Sequence, residues 1–167
     1  YVLDQDSDAG YRFYNDNKVH VDSMTKVIGY NFRISKAELL TVSDSMSTTN
    51  TLNITVENSG IAPCFFDVYM IAEFVDKSGS VLKKIGKTIR IPKGTFKDEM
   101  SKDFQFVNTV SAGKTNVATQ QGVFVALSLY ESEDAYKEGK NPTVRFDNDG
   151  ILDNKKLRLT SCSHKFS

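Results

Sequence analysis

Apolar and polar residues alternate most regularly between Leu52 and Asp76. Leu52, Ile54 and Val56 are separated by Asn53, Thr55 and Glu57, the alternation of a strand with one buried and one solvated face. Further on, Phe66, Val68, Met70, Ala72 and Phe74 form a second apolar row. Between the rows lies Asn58-Ser59-Gly60-Ile61-Ala62-Pro63. Gly60 can take positive φ and Pro63 fixes φ, so both mark a break rather than a strand interior. Two strands joined through this break are the expected centre of the fold.

The same reading extends in both directions. Val27–Ile34 and Ala37–Val42 read as short strands, and the Ser/Thr/Asn run Ser43–Asn50 as a loop feeding the central pair. Lys77-Ser78-Gly79-Ser80 is a turn signal, so residues 66–76 and 81–91 predict a β-hairpin that Pro92-Lys93-Gly94 closes. Phe104 and Phe106 flank Gln105 in the next short strand, followed by a loop over 109–120. Gly122–Tyr130 is apolar on both alternations, which suits a central strand covered on both sides, by a loop or by a partner. Ser132–Glu138 is spaced for one helical turn that Gly139 ends, and Thr143–Phe146 and Lys156–Thr160 are the last strands. About nine short strands and no long helical period predict an all-β fold: a single antiparallel immunoglobulin-like β-sandwich over residues 27–167. Residues 1–26 read as a polar leader in which Tyr11–Tyr14 is a candidate short strand.

Composition narrows the partners. The 167 residues fit one domain with a core large enough to need no disulfide staples, and 40% hydrophobic and 25% charged residues are ordinary for a globular chain. The 21 basic and 21 acidic residues cancel, leaving no electrostatic footprint for nucleic acid or an anionic membrane. No apolar run approaches the roughly 20 residues a spanning helix needs. A start at Tyr1 without a signal-like segment reads as a mature chain or an excised domain. Cys64 and Cys162, with His20 and His164, match no zinc spacing, and two buried thiols or one disulfide are the readings left open.

Candidate chemistry is sparse. Asp4, Asp6 and Asp8 resemble the opening of a calcium loop, but Ala9 stands where that loop needs glycine and Asn15 where it needs glutamate. Gly113-Lys114-Thr115 lacks the earlier glycine of a phosphate-binding loop, since Asn108 stands there. Asp147, Asp149 and Asp153, with Asn148, gather oxygen ligands around Gly150; they are a candidate structural Ca²⁺ site or simply an Asp-Gly turn. Glu57, Asp67 and Glu73 fall at strand positions whose alternation predicts solvent exposure, and no Gly-x-Ser-x-Gly occurs, so no enzyme active site is expected. Among the tyrosines, Tyr136 is the candidate ring for stacking on a sugar, ahead of Tyr69 and Tyr130, whose strand positions favour packing.

Four features stand out together: Gly29-Tyr30-Asn31-Phe32; Asn58–Pro63 with the strand that follows; Ile89-Arg90-Ile91-Pro92-Lys93-Gly94; and Gly122–Leu127 leading to Pro142–Phe146 and Asp149-Gly150. In these the chain resembles the C-terminal β-sandwich module of a bacterial family of glycoside-hydrolase-like proteins of unassigned function. The likeness spans roughly residues 27–161. Asn31 stands where the module usually has arginine, Cys64 where proline or an aromatic is common, and Cys162 where glycine is typical. The resemblance implies a TIM-barrel-like domain of the same parent protein as partner, with any catalytic carboxylates on that barrel. It also implies an extracytoplasmic location. The function expected is a non-catalytic accessory module that docks on a partner domain and binds glycan weakly, or does one of these. The alternative is a stand-alone adhesion or protein-interaction sandwich.

Overall fold

The computed structural model describes residues 29–96, 100–159 and 163–166. The leader, Val27-Ile28, His20 and Cys162 therefore lie outside the described residues. Two four-stranded sheets face each other. In the first, β1 (Phe32–Ser43) and β2 (Ser47–Asn58) form a long hairpin, β5 (Ser101–Ser111) joins antiparallel to β2, and β8 (Ser163–Phe166) joins β1. In the second, β3 (Val68–Val75) lies between β4 (Val81–Ile91) and β6 (Phe124–Tyr130), with the short β7 (Leu157–Arg158) beyond β6. This is the expected all-β immunoglobulin-like sandwich, with eight strands among the described residues rather than about nine. Among the described strands one pairing departs from the antiparallel rule, since β8 runs parallel to β1, and the isolated Phe32–Phe146 bridge is parallel too.

The core forms where the inner rows meet. Phe32, Ile34, Leu39, Leu52, Ile54, Val56 and Phe106 come from one sheet. Val68, Met70, Phe74, Ile85, Val125, Leu127 and Leu129 come from the other. Each large side chain so buried contributes about 1.5–3 kcal/mol relative to exposure.

Several boundaries differ from the sequence reading, each for a local reason. The two strands expected before Leu52 are one, β1, carrying a bulge at Ser35 where the register shifts between Ile34 and Lys36. The Ser43–Asn50 run is mostly strand: Asp44 closes a tight turn by accepting from the N–H groups of Met46 and Ser47, both at 2.7 Å, and Thr48–Thr51 already pair with β1. β-Branched threonine suits this pleated surface. Asn50 points inward, where its amide exchanges hydrogen bonds with Asn116 (2.9 and 3.1 Å) and accepts from the Thr41 hydroxyl. Conversely, 143–146 makes only isolated bridges, Val144 to Leu129 in one sheet and Phe146 to Phe32 in the other.

The hairpin β3–β4 is as expected, its turn held by Asp76, which accepts from the N–H groups of Ser78 and Ser80. On one side of the sandwich the two sheets close on each other. Gly86 of β4 (φ +64°) lies so near β5 that a Cβ there would stand 2.8 Å from the Val107 carbonyl oxygen and 2.9 Å from its nitrogen.

Candidate functional site

Three places carry the side chains that sequence analysis singled out. The first is the outer face of the second sheet. Tyr69, Ile71, Glu73 and Val75 point outward from β3, next to Phe124, Ala126, Ser128 and Tyr130 of β6. The connection 131–156 lies over them and contains the short helix α1 (Glu133–Lys137). Ser132 caps α1 by accepting from the Ala135 N–H at 3.2 Å, and Glu133 and Asp134 complement its first turn. The helix seats Tyr136 half-buried, with its hydroxyl donating to Glu73 Oε1 at 3.1 Å and its ring edge-on to Tyr130 at 5.7 Å. Lys156 Nζ donates to the other oxygen of Glu73, and Lys84 Nζ stands 5.0 Å from the Tyr136 ring centroid.

Glu73 is thus 1% exposed, which corrects the expectation that it faces solvent. Its carboxylate is buried because both oxygens have donors, and one donor is a cation. Burial raises the Tyr136 phenol to about 12, with the Glu73 charge and hydrogen bond adding to the effect. Burial first, with the Glu73 charge adding to it, also raises Tyr130, against an opposing hydrogen bond with Ser128. The group therefore braces the connection to the sheet, and Tyr136 spends its hydroxyl inward.

The second place is the Asp-rich turn. Asp147 accepts from the Asn31 amide at 3.0 Å, and its own N–H donates to the Phe32 carbonyl at 2.7 Å. Asn148 imitates a strand residue: its amide oxygen accepts from the Ile34 N–H (2.8 Å) and its amide nitrogen donates to the Ile34 carbonyl (2.9 Å). Gly150 (φ +93°) turns the chain back so that its carbonyl accepts from Arg158 N–H. Asp149 and Asp153 are exposed. Among the described residues no group of three or more His, Cys, Asp or Glu side chains converges as metal ligands, so Asp147, Asp149 and Asp153 are not gathered into one set.

The third place is the end of the sandwich built by Asn58–Phe66. Asn58 is fully buried. Its amide oxygen accepts from the N–H groups of Asn31 (2.8 Å) and Gly60 (3.1 Å), and its amide nitrogen donates to the Ala62 carbonyl (3.0 Å). Gly60 is required by space rather than by positive φ: a Cβ there would stand 1.8 Å from the Gly29 carbonyl oxygen. Next along the chain, Cys64 is buried, its free thiol donating to the Phe66 carbonyl, and burial pushes its pKa up, away from thiolate reactivity. Asp67 ties the following strand down by accepting from Arg90 (2.6 Å) and from the Lys93 N–H (2.9 Å), which holds its carboxyl below the usual range. This well-fixed loop nevertheless displays two large apolar side chains, Phe65 at 74% and Ile61 at 55% exposure. Along the sequence the loop reads as punctuation, which does not reveal this display. The signal was there: Phe65 falls out of step with the alternating row that starts at Phe66.

With this geometry in hand, comparison with known proteins adds little. No family model matches the chain, and no curated protein matches it. Among solved structures the chain is similar to the CARDB domain of the PF1109 protein from Pyrococcus furiosus, determined in complex with di-metal ions. The identity is 14%, the TM-score is 0.36, and the match covers 85% of this chain and 97% of that one.

Proposed function

We propose that this chain is a non-catalytic accessory β-sandwich module of a bacterial carbohydrate-active or cell-surface protein. It docks on a partner domain of the same parent, of the TIM-barrel type implied by the sequence resemblance, outside the cytoplasm. The observation that carries the reading is the exposed pair Phe65 and Ile61 on a loop held by Asn58. A rigid loop that exposes large apolar side chains sacrifices little conformational entropy when they are covered, which is what a docking surface requires. The loop also stands against Gly29, where the chain arrives from the residues preceding the sandwich: the Ala62 N–H donates to the Gly29 carbonyl.

The test is calorimetric titration of the chain into the separately purified barrel domain of the parent protein. The double variant Ile61→Asp/Phe65→Asp is expected to weaken binding at least tenfold while leaving the thermal midpoint unchanged, since both side chains are already solvated. Equal binding by the variant, or none by either chain, overturns the reading. Adhesion through an added edge strand has less support, because β4 and β5 approach each other at Gly86 and Val107 and leave less free edge there.

A further inference from the structure

The outer face of the first sheet holds a feature that neither the core nor the docking end explains. Successive ladder rows place Lys36, Thr55 and Asp103 side by side, then Glu38, Asn53 and Gln105. These six residues, with Ile54 and Phe104, line a shallow groove of about 470 Å³, within the range of small-ligand sites. Its concavity coincides with the bulge at Ser35, which bends β1 beside Lys36.

The polar groups are only partly used. Thr55 Oγ1 donates to Asp103 Oδ1 at 2.6 Å, Gln105 Nε2 donates to Asn53 Oδ1 at 2.9 Å, and Lys165 pairs with one oxygen of Glu38. These bonds fix the side chains laterally. They leave the Asn53 amide N–H groups and the Lys36 ammonium as donors, and Gln105 Oε1, Asp103 Oδ2 and the second Glu38 oxygen as acceptors. Mixed donors and acceptors on a pre-set array complement hydroxyl groups, each of which both donates and accepts. The charges cancel, Lys36 and Lys165 against Glu38 and Asp103, so the groove favours neither an anion nor a cation.

We propose that this groove binds a neutral oligosaccharide by its hydroxyl edges. The proposal extends the accessory-module reading by naming a ligand and a site. It does not depend on docking, because the groove lies on a sheet face and Phe65 on an end loop. Among the lining residues only Phe104 is aromatic, so hydrogen bonds rather than ring stacking carry the affinity, and a single site is weak, on the order of millimolar.

The experiment is a titration of the ¹⁵N-labelled chain with neutral cello-, xylo-, malto- and chito-oligosaccharides, followed by amide chemical shifts. Inorganic phosphate and Ca²⁺ serve as charged comparators. Shifts confined to residues 36–38, 53–55 and 103–105 with one of the sugars are expected. The double variant Asn53→Ala/Gln105→Ala should weaken that response about tenfold, and Ile61→Asp/Phe65→Asp should leave it unchanged. If the alanine variant fails to fold, the location of the wild-type shifts decides alone. No response to any sugar, shifts that map elsewhere, or a stronger response to phosphate or Ca²⁺ each overturn the proposal.

Discussion

Asn58 and Gly60 show how much one turn can rest on two residues. Asn58 satisfies three backbone groups of the segments it joins, and Gly60 leaves room for the Gly29 carbonyl. Replacing Gly60 by alanine forces backbone apart, so Gly60→Ala is expected to cost at least about 3 kcal/mol, among the larger single-residue effects, read as a lowered urea midpoint. Tyr136 makes a different prediction. Its phenol titrates near 12 when folded and near 10 when unfolded, so the folded state keeps the proton over that interval and stability declines as pH rises through it. Subtracting the ultraviolet pH titration of Tyr136→Phe from that of the parent should reveal one phenol ionising near 12. A difference centred near 10 would contradict the buried bond to Glu73. At this scale the sequence showed that Asn58–Pro63 is special, and it could not show why. The collision at Gly60 is with a residue 31 positions earlier in the chain.

Among elements, the contrast between β2 and β3 is the most instructive. Both alternate, and alternation alone placed Glu57 and Glu73 alike on solvated faces. Glu57 is half-exposed on the first sheet, while Glu73 lies under the 131–156 connection. A cue was present in the neighbours: the outer row of β2 is Thr, Asn and Thr, whereas Glu73 stands between Ile71 and Val75. An apolar outer row needs a cover, and for β6 that cover was expected from the same reasoning. Lys156 makes the burial tolerable, and its loss should be severe. Lys156→Met leaves a buried carboxylate without its cation and is expected to destabilise by about 3–5 kcal/mol. Adding Glu73→Met should recover most of that, because a well-filled apolar pair often matches a buried ion pair. Chemical denaturation of both variants checks the sign. A double variant no better than the single one would mean that the Tyr136 bond matters more.

Over the whole molecule, the fold class was legible because strand periodicity and turn punctuation are local properties, repeated along the chain. What was not legible depends on which strands meet. The parallel placement of β8, the meeting of β4 and β5 at Gly86, and the polar groove across β1, β2 and β5 all join residues far apart in sequence. The groove in particular reads along the chain as three unrelated polar alternations. Only the registers Lys36–Thr55–Asp103 and Glu38–Asn53–Gln105 make it a site. The two proposed surfaces are separate, an apolar end loop and a polar sheet face, so docking on a neighbour need not cover the groove.

The parallel seam between β1 and β8 bears on how the domain carries tension. Glu38 to Thr41 lie beside Ser163 to Phe166 with both strands running the same way, so the start of β1 and the end of β8 point to opposite ends of the sheet. A pull along the polypeptide through those two points slides the strands past each other. It loads the hydrogen bonds of the seam together, where an antiparallel terminal pair would let them peel open one at a time. Rupture then demands several bonds at once, and the rate of forced opening, rather than equilibrium stability, sets how long the fold lasts under load. A domain strung between a surface and its cargo would be held shut by that seam.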